Sequence, residues 1–299
     1  MPEIKESVSS WGDHKDYIDS FVALLDAKYA VPGKTLVEIG PDHTYLFAEK
    51  LLTAGAKKIH CFSPDTGIPE PANPKIILHR SLFEYNTLRD NSIDGVLAVA
   101  TLEHMEDVPR VVGVAKRLLK PGGFLFLQGG PIWTGPRGHH AWITTPDGRQ
   151  MLFLDKSNPF QPWEHLSYES ATRPDLEALF KAKGYSASDA AFMTASLLDQ
   201  WNIRSNLING LTKQSPTKII AAVTEIFKGE IEVVRETQLE VAQQTQTSPN
   251  EFFDAALASG KYSREDLWTD GLQIYAVKAG VPGRGGISDF FHRLRAKFF

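Results

Sequence analysis

The 299-residue sequence predicts an α/β fold, a parallel, doubly wound sheet with helices on both faces, and two observations carry that prediction. Short apolar runs such as Gly95-Val96-Leu97-Ala98-Val99-Ala100 are nearly continuous rather than alternating, as strands buried on both faces are. Between those runs lie segments whose apolar residues recur at helical spacing, and strands alternating with helices build a parallel sheet.

In chain order, Ile18, Phe21, Val22 and Leu25 mark a helix stopped by Pro32-Gly33, so residues 1–30 read as an N-terminal helical segment. The run 35–39 is a first strand ending at Gly40, and 45–52 is a helix closed by Gly55. Runs 58–62, 75–78 and 95–100 supply the second, third and fourth strands. Val108, Val111, Val112, Ala115, Leu118 and Leu119 form a helical stripe ending at Lys120-Pro121-Gly122-Gly123, followed by a fifth strand at 124–127.

Residues 129–168 are rich in Trp, His, Pro and Gly, which predicts a long, ordered, functional loop. Pro174 opens a helix capped by Gly184, residues 186–194 read as a sixth strand, and 272–277 as the final one. The stretch 197–269, with helix starts at Ser215-Pro216, Ser248-Pro249 and Ser263, reads as a mostly helical insertion covering the active site. The core is then 31–196 plus 270–280. Residues 281–299 read as a Gly-rich linker and a short amphipathic helix with four basic residues against one acid. Such a helix fits an anionic membrane surface, a partner's groove, or the domain itself.

Composition bounds the function. With 32 Lys+Arg against 36 Asp+Glu, the net charge of −4 supplies no global basic field for nucleic acid. The single cysteine, Cys61, has no intrachain disulfide partner, and the start MPEIKESVSSWGDHK lacks the apolar stretch of a secretory signal. The expected setting is cytoplasmic, with peripheral membrane contact through the C-terminal helix as the one extension.

Three motifs sharpen the reading. Glu38-Ile39-Gly40-Pro41-Asp42-His43-Thr44 puts a glycine where a strand end meets a helix N-terminus, the usual ligand site of such sheets. Ser92-Ile93-Asp94 precedes the fourth strand, and Thr101-Leu102-Glu103-His104 follows it. Arg117-Leu118-Leu119-Lys120-Pro121-Gly122-Gly123 closes the next helix. Together these resemble the class I S-adenosylmethionine-dependent methyltransferases over roughly residues 34–127. The resemblance implies a seven-stranded, mostly parallel sheet with an antiparallel strand at 272–277. It also implies S-adenosylmethionine held by Glu38, Gly40, Asp42, His43, Ser63, Asp65, Glu84, Thr101 and Leu102.

The sequence departs from the family pattern in three places. Asp42 and Thr44 stand where the E-x-G-x-G-x-G turn has glycines, Ser63 stands where an acid meets the ribose hydroxyls, and no acid stands at Ser81 or Leu82. Asp65 and Glu84 are the nearest carboxylates.

The loop Pro131-Ile132-Trp133-Thr134-Gly135-Pro136-Arg137-Gly138-His139-His140 and the element Trp163-Glu164-His165-Leu166 are similar to a subset of bacterial methyltransferases. That makes His139, His140 and His104 candidates for proton transfer, because histidine near neutrality takes a proton from an attacking hydroxyl or amine. Trp133, Arg137, Trp163 and His165 become candidates for substrate contact. The histidine spacing lacks a metal-ligand pattern, so no metal is expected. The functional expectation is methyl transfer to an oxygen or nitrogen of a small molecule or glycan intermediate. Two alternatives stay open: a non-catalytic scaffold of the same fold, favoured by the departures above, and a nicotinamide oxidoreductase, disfavoured because G-x-G-x-x-G is absent.

Overall fold

A computed structural model describes residues 2–9, 14–148, 150–151, 158–204, 206–229, 231–238 and 250–280. The C-terminal helix expected within 281–299 lies outside the described residues.

The first half runs β1 (Glu3–Ser9), α1 (His14–Tyr29), β2 (Thr35–Ile39), α2 (Leu46–Thr53), β3 (Lys58–Phe62), β4 (Ile76–His79), β5 (Ile93–Ala98), α3 (Val108–Leu118) and β6 (Leu119–Gly129). The second half runs β7 (Ile143–Thr144), β8 (Gln150–Met151), α4 (Arg173–Ala182), α5 (Ala187–Gln200), α6 (Pro216–Phe227), β9 (Ile231–Gln238), α7 (Glu251–Ala258), α8 (Arg264–Trp268) and β10 (Gly271–Val277). The main sheet has the order β1-β9-β10-β6-β5-β2-β3-β4. Its pairs are parallel except those of β10, which runs antiparallel to both β6 and β9. The strands β2 to β6, β9 and β10 are the mostly parallel set of seven with an antiparallel last strand, and β1 adds an eighth at the edge.

Two apolar layers fix this sheet. On one face Val37, Val96, Leu125, Leu127 and Ile274 pack with Val108, Val112 and Ala115 of α3 and Ile219 and Val223 of α6. On the other face Leu36, Leu97, Phe124, Phe126 and Tyr275 pack with Ile18, Phe21 and Leu25 of α1 and Phe47, Ala48 and Leu51 of α2. Consecutive strand residues go to opposite layers, which is why these strands read as unbroken apolar runs.

The structure corrects three readings of the chain. Residues 1–30 are not all helical, because β1 pairs in parallel with β9 over its whole length. The sixth strand is β9, inside the stretch read as a helical insertion, whereas 186–194 lies in α5. Ser186 accepts a hydrogen bond from the Asp189 amide as an N-cap, and Ala190, Met193, Thr194 and Leu197 bury one helical stripe. The principal insertion therefore lies after β6 rather than immediately before the last strand. Between β6 and α6 the chain builds its own core from Trp133, Ile143, Phe160, Leu176, Phe180, Met193, Leu197 and Trp201. A smaller cluster joins Trp163 to Phe253 of α7 and Leu267 of α8.

Among the described residues no helix is long and apolar enough to cross a membrane.

Candidate active site

Strand order reverses at β2, whose neighbours are β5 and β3, so the crevice opens beyond the carboxyl ends of β2 and β5. Gly40 lies there with φ +72°, and a Cβ on it would sit 2.5 Å from Thr101 Oγ1 and 2.7 Å from Thr101 Cγ2. The Thr101 hydroxyl donates to the Val99 carbonyl at 2.8 Å and stands 3.2 Å from the Ile39 carbonyl. Gln128 Oε1, at the end of β6, accepts from the Ala100 amide at 2.8 Å. Three strand ends are thereby stitched side by side, and only glycine accepts both the left-handed backbone and the approach of Thr101.

Asp42 lies in the turn that enters α2. Its carboxylate accepts from the amides of Thr44 (2.6 Å) and Leu46 (3.1 Å), the second at the first residue of α2. An acid capping this end takes up free amides and repels the pyrophosphate a nicotinamide dinucleotide would place there, which disfavours the oxidoreductase reading. Glu38 is buried beside Cys61, whose thiol donates to it at 3.5 Å, and burial pushes its carboxyl up to about 8.

After β3, buried Ser63 accepts the Asp65 amide at 3.1 Å, and Asp65 Oδ2 lies 2.7 Å from His43 Nε2. Glu84 stands half-buried in the single turn Phe83–Tyr85 that follows β4, the edge strand. Leu102 is fully buried at the start of the turn after β5.

The histidines separate into two groups. His104 and His140 sit together, ring centroids 5.4 Å apart, and His104 Nδ1 donates to the Gly210 carbonyl at 3.0 Å. A carbonyl only accepts, so Nδ1 carries the proton and Nε2 holds a lone pair able to take another. Burial holds His140 down at about 3, so it is neutral near pH 7.

His139 and His165 belong to the inserted core instead. His139 is 1% exposed, its Nδ1 accepts from the Ala141 amide at 3.0 Å, and its ring meets those of Phe160 and His165. His165 Nε2 donates to the Trp133 carbonyl at 2.7 Å. Trp133 packs edge-on against His165 and Trp201, and Trp163 Nε1 donates to the Leu267 carbonyl at 2.7 Å. These contacts set His139, Trp133, Trp163 and His165, the first a candidate for proton transfer and the others for substrate contact, among the side chains of the inserted core and its neighbouring cluster. A stretch this aromatic has enough apolar surface to close its own core, so these side chains face one another.

Arg137 is half-buried beside Asp270, which sequence reasoning missed. Burial pushes the Asp270 carboxyl up to about 7 against the opposing pull of Arg137. A lone acid before a strand gives no sequence signal of such burial. Among the described residues no group of three or more His, Cys, Asp or Glu is placed to hold a metal ion.

The buried state of His139 has a measurable consequence. Burial depresses its pKa well below 6.5, whereas the unfolded chain takes up that proton near 6.5. Its contribution to stability is therefore complete above pH 6.5 and is lost as pH falls towards the folded value. Thermal unfolding of wild type and His139→Phe between pH 8 and pH 5 should show wild type losing ground below pH 6.5, by up to about 1.4 kcal/mol per pH unit. Parallel curves would show that His139 is not held neutral.

Residues 63–127 match the family model described as a methyltransferase domain. Comparison with curated proteins gives no match. Among solved structures, the chain is similar to an S-adenosylmethionine-dependent methyltransferase from Mesorhizobium loti, at 17% identity over 88% of this chain and 99% of that one, TM-score 0.48. It is also similar to the YcgJ protein of Bacillus subtilis, at 10% identity over 90% and 100% of the two chains, TM-score 0.47. A third similar structure is magnesium protoporphyrin IX methyltransferase from Synechocystis with bound S-adenosylmethionine, at 16% identity over 40% and 60%, TM-score 0.33. The family match runs from the end of β3 into β6, so this stretch of the doubly wound α/β sheet, which carries Thr101 and His104, is similar to a methyltransferase domain.

Proposed function

We propose that this protein transfers a methyl group from S-adenosylmethionine to an oxygen or nitrogen of a small molecule or glycan intermediate. The observation that carries the proposal is the junction of Gly40, Thr101 and His104 at the switch point: a close-approach turn and an oriented histidine at the ends of adjacent strands. The donor set fits such a cofactor. Asp42 disfavours phosphate at the α2 N-terminus, while Asp65 offers carboxylate oxygens of the kind that accept sugar hydroxyls.

When bound, the cofactor supplies an electrophilic sulfonium methyl. His104 Nε2 would take the proton of the acceptor hydroxyl or amine to which this methyl group is passed. His140 packs against His104, and the Gly210 carbonyl fixes the tautomer. The inserted core after β6 keeps water from the exchange and sets which acceptor enters.

The test is incubation of the full chain with methyl-labelled S-adenosylmethionine and a deproteinised low-mass metabolite pool. Label in a product that resists mild base, an ether or an N-methyl amine, is the expected result. A base-labile ester would contradict the acceptor class. No transferred label and no heat on titrating the cofactor would favour the scaffold reading instead.

A further inference from the structure

Around the ends of β6 and β9 and the start of β10, three buried carboxylates are packed over glycines. Glu103 Oε2 occupies the place a Cβ on Gly129 would take, and Glu236 Oε2 lies 2.5 Å from where a Cβ on Gly271 would stand. Asp270 Oδ1 lies 3.1 Å from the corresponding point at Gly135. These places adjoin one another, since Gly129 pairs with Leu272 and Gly271 with Glu236. The backbone holds the acids there. The Glu103 carbonyl accepts from the Thr212 amide at 2.8 Å, the Asp270 amide donates to the Glu236 carbonyl at 2.8 Å, and the Asp270 carbonyl accepts from the Ile132 amide at 2.7 Å.

The charge of this cluster is only partly answered from within. Among the described residues, both carboxylate oxygens of Asp270, Glu103 Oε2 and Gln128 Nε2 are buried without a hydrogen-bond partner. Glu236 Oε1 accepts from the side-chain amide of Gln273, which the Tyr275 hydroxyl holds at 2.5 Å. Arg137 draws on Asp270. Arg235 directs its guanidinium to Thr269 and Thr217 and, as the neighbour of Glu236 in β9, lies on the opposite face of the sheet. Burial pushes the carboxyls of Glu103, Glu236 and Asp270 upward, so each gains from a positive charge brought beside it. Tyr17 of α1 feels both Glu103 and Glu236; burial and these two charges push its phenol up, so it stays protonated. His104 follows Glu103 in the turn after β5, so the cluster borders the proposed base.

We propose that this cluster is the acceptor subsite and that it takes a small organic cation, an ammonium group received by Glu103, Glu236 and Asp270 beside His104. The assignment rests on the methyl-transfer reading above and narrows it to amine-bearing acceptors. An ammonium group brings three donors and a charge, which the orphaned oxygens of Asp270 and Glu103 accept. A neutral hydroxyl brings one donor and no charge, and an anionic acceptor meets like charge.

Thermal unfolding of the full chain saturated with S-adenosylhomocysteine reads the charge preference through three probes of similar shape, n-butylamine, n-butanol and butyrate, at millimolar concentration. The amine should raise the unfolding temperature, and the alcohol and the acid should not. Asp270→Asn and Glu236→Gln should each raise the amine concentration needed for that effect by roughly tenfold, the scale of one charge-assisted hydrogen bond, with S-adenosylhomocysteine affinity unchanged. Glu232→Gln removes an equal charge from the Lys28 pair at the amino end of β9 and should leave the amine response at the wild-type level. Without ligand, Asp270→Asn should unfold at or above the wild-type temperature; an acid kept only to pair with Arg137 would give a lower one. In the labelling assay, the metabolite pool is first split on a cation exchanger, and label should enter products of the retained fraction. Equal responses to the three probes, none included, or label only in products of the unretained fraction, would overturn the assignment and leave methyl transfer standing. Failure of wild type to bind S-adenosylhomocysteine would overturn that reading, and the assignment with it.

Discussion

Gly40→Val should lose cofactor binding, with affinity for S-adenosylhomocysteine falling by at least roughly 100-fold, because two independent obstacles fall on one residue. The backbone at Gly40 has φ +72°, a region that a β-branched residue enters at a cost of about 1–3 kcal/mol. The new Cβ would also stand 2.5 Å from Thr101 Oγ1. Thr101 has little room to yield, since its hydroxyl is bonded to the Val99 carbonyl. Relief must come from moving the turn, and the turn is the proposed floor of the cofactor site. Calorimetry reads the affinity, and thermal unfolding with a retained far-ultraviolet spectrum shows that the sheet persists. Unchanged affinity in a folded Gly40→Val protein would remove this turn from the site.

The second large effect belongs to His104. His104→Ala should lower turnover by about 10²- to 10⁴-fold, the usual worth of a positioned base, with cofactor affinity unchanged. The Gly210 carbonyl explains the direction: with Nδ1–H committed to it, Nε2 is the basic nitrogen, and alanine removes that nitrogen without touching the Gly40 turn. His139→Phe should leave turnover nearly intact, because His139 is bonded inside the inserted core. Equal losses in the two variants would mean that both act through folding, and a full rate in His104→Ala would assign the proton to another group.

The sheet was largely legible because its central strands are buried on both faces. The runs 35–39, 58–62 and 95–100 each fall on or within two residues of an observed strand, and 272–277 lies within β10. β9 escaped because Glu232, Arg235 and Glu236 interrupt its apolar residues; it lies near the sheet's edge, where Glu232 meets Lys28 at 2.7 Å. The stretch 186–194 misled in the opposite sense. Its short, small side chains give no strong period, and the Ser186 cap that declares a helix is a weak signal until the backbone is seen.

At the site, Gly40 and the turn after β5 were visible as local patterns. The bond between His43 and Asp65 was not, because it crosses two loops and depends on the turn made by Ser63. The adjacent pair His139 and His140 looked equivalent in sequence. His140 has φ +47°, however, and the two rings pack against different neighbours, His104 for one and the aromatic core for the other.

The most direct test of the central claim is a crystal structure of the full chain with S-adenosylhomocysteine. The nucleoside should lie across the carboxyl ends of β2 and β5, over Gly40 and beside Thr101, with its sulfur towards His104. Density for the ligand at any other edge of the sheet, or a Gly40 turn left unvisited at saturating ligand, would contradict it.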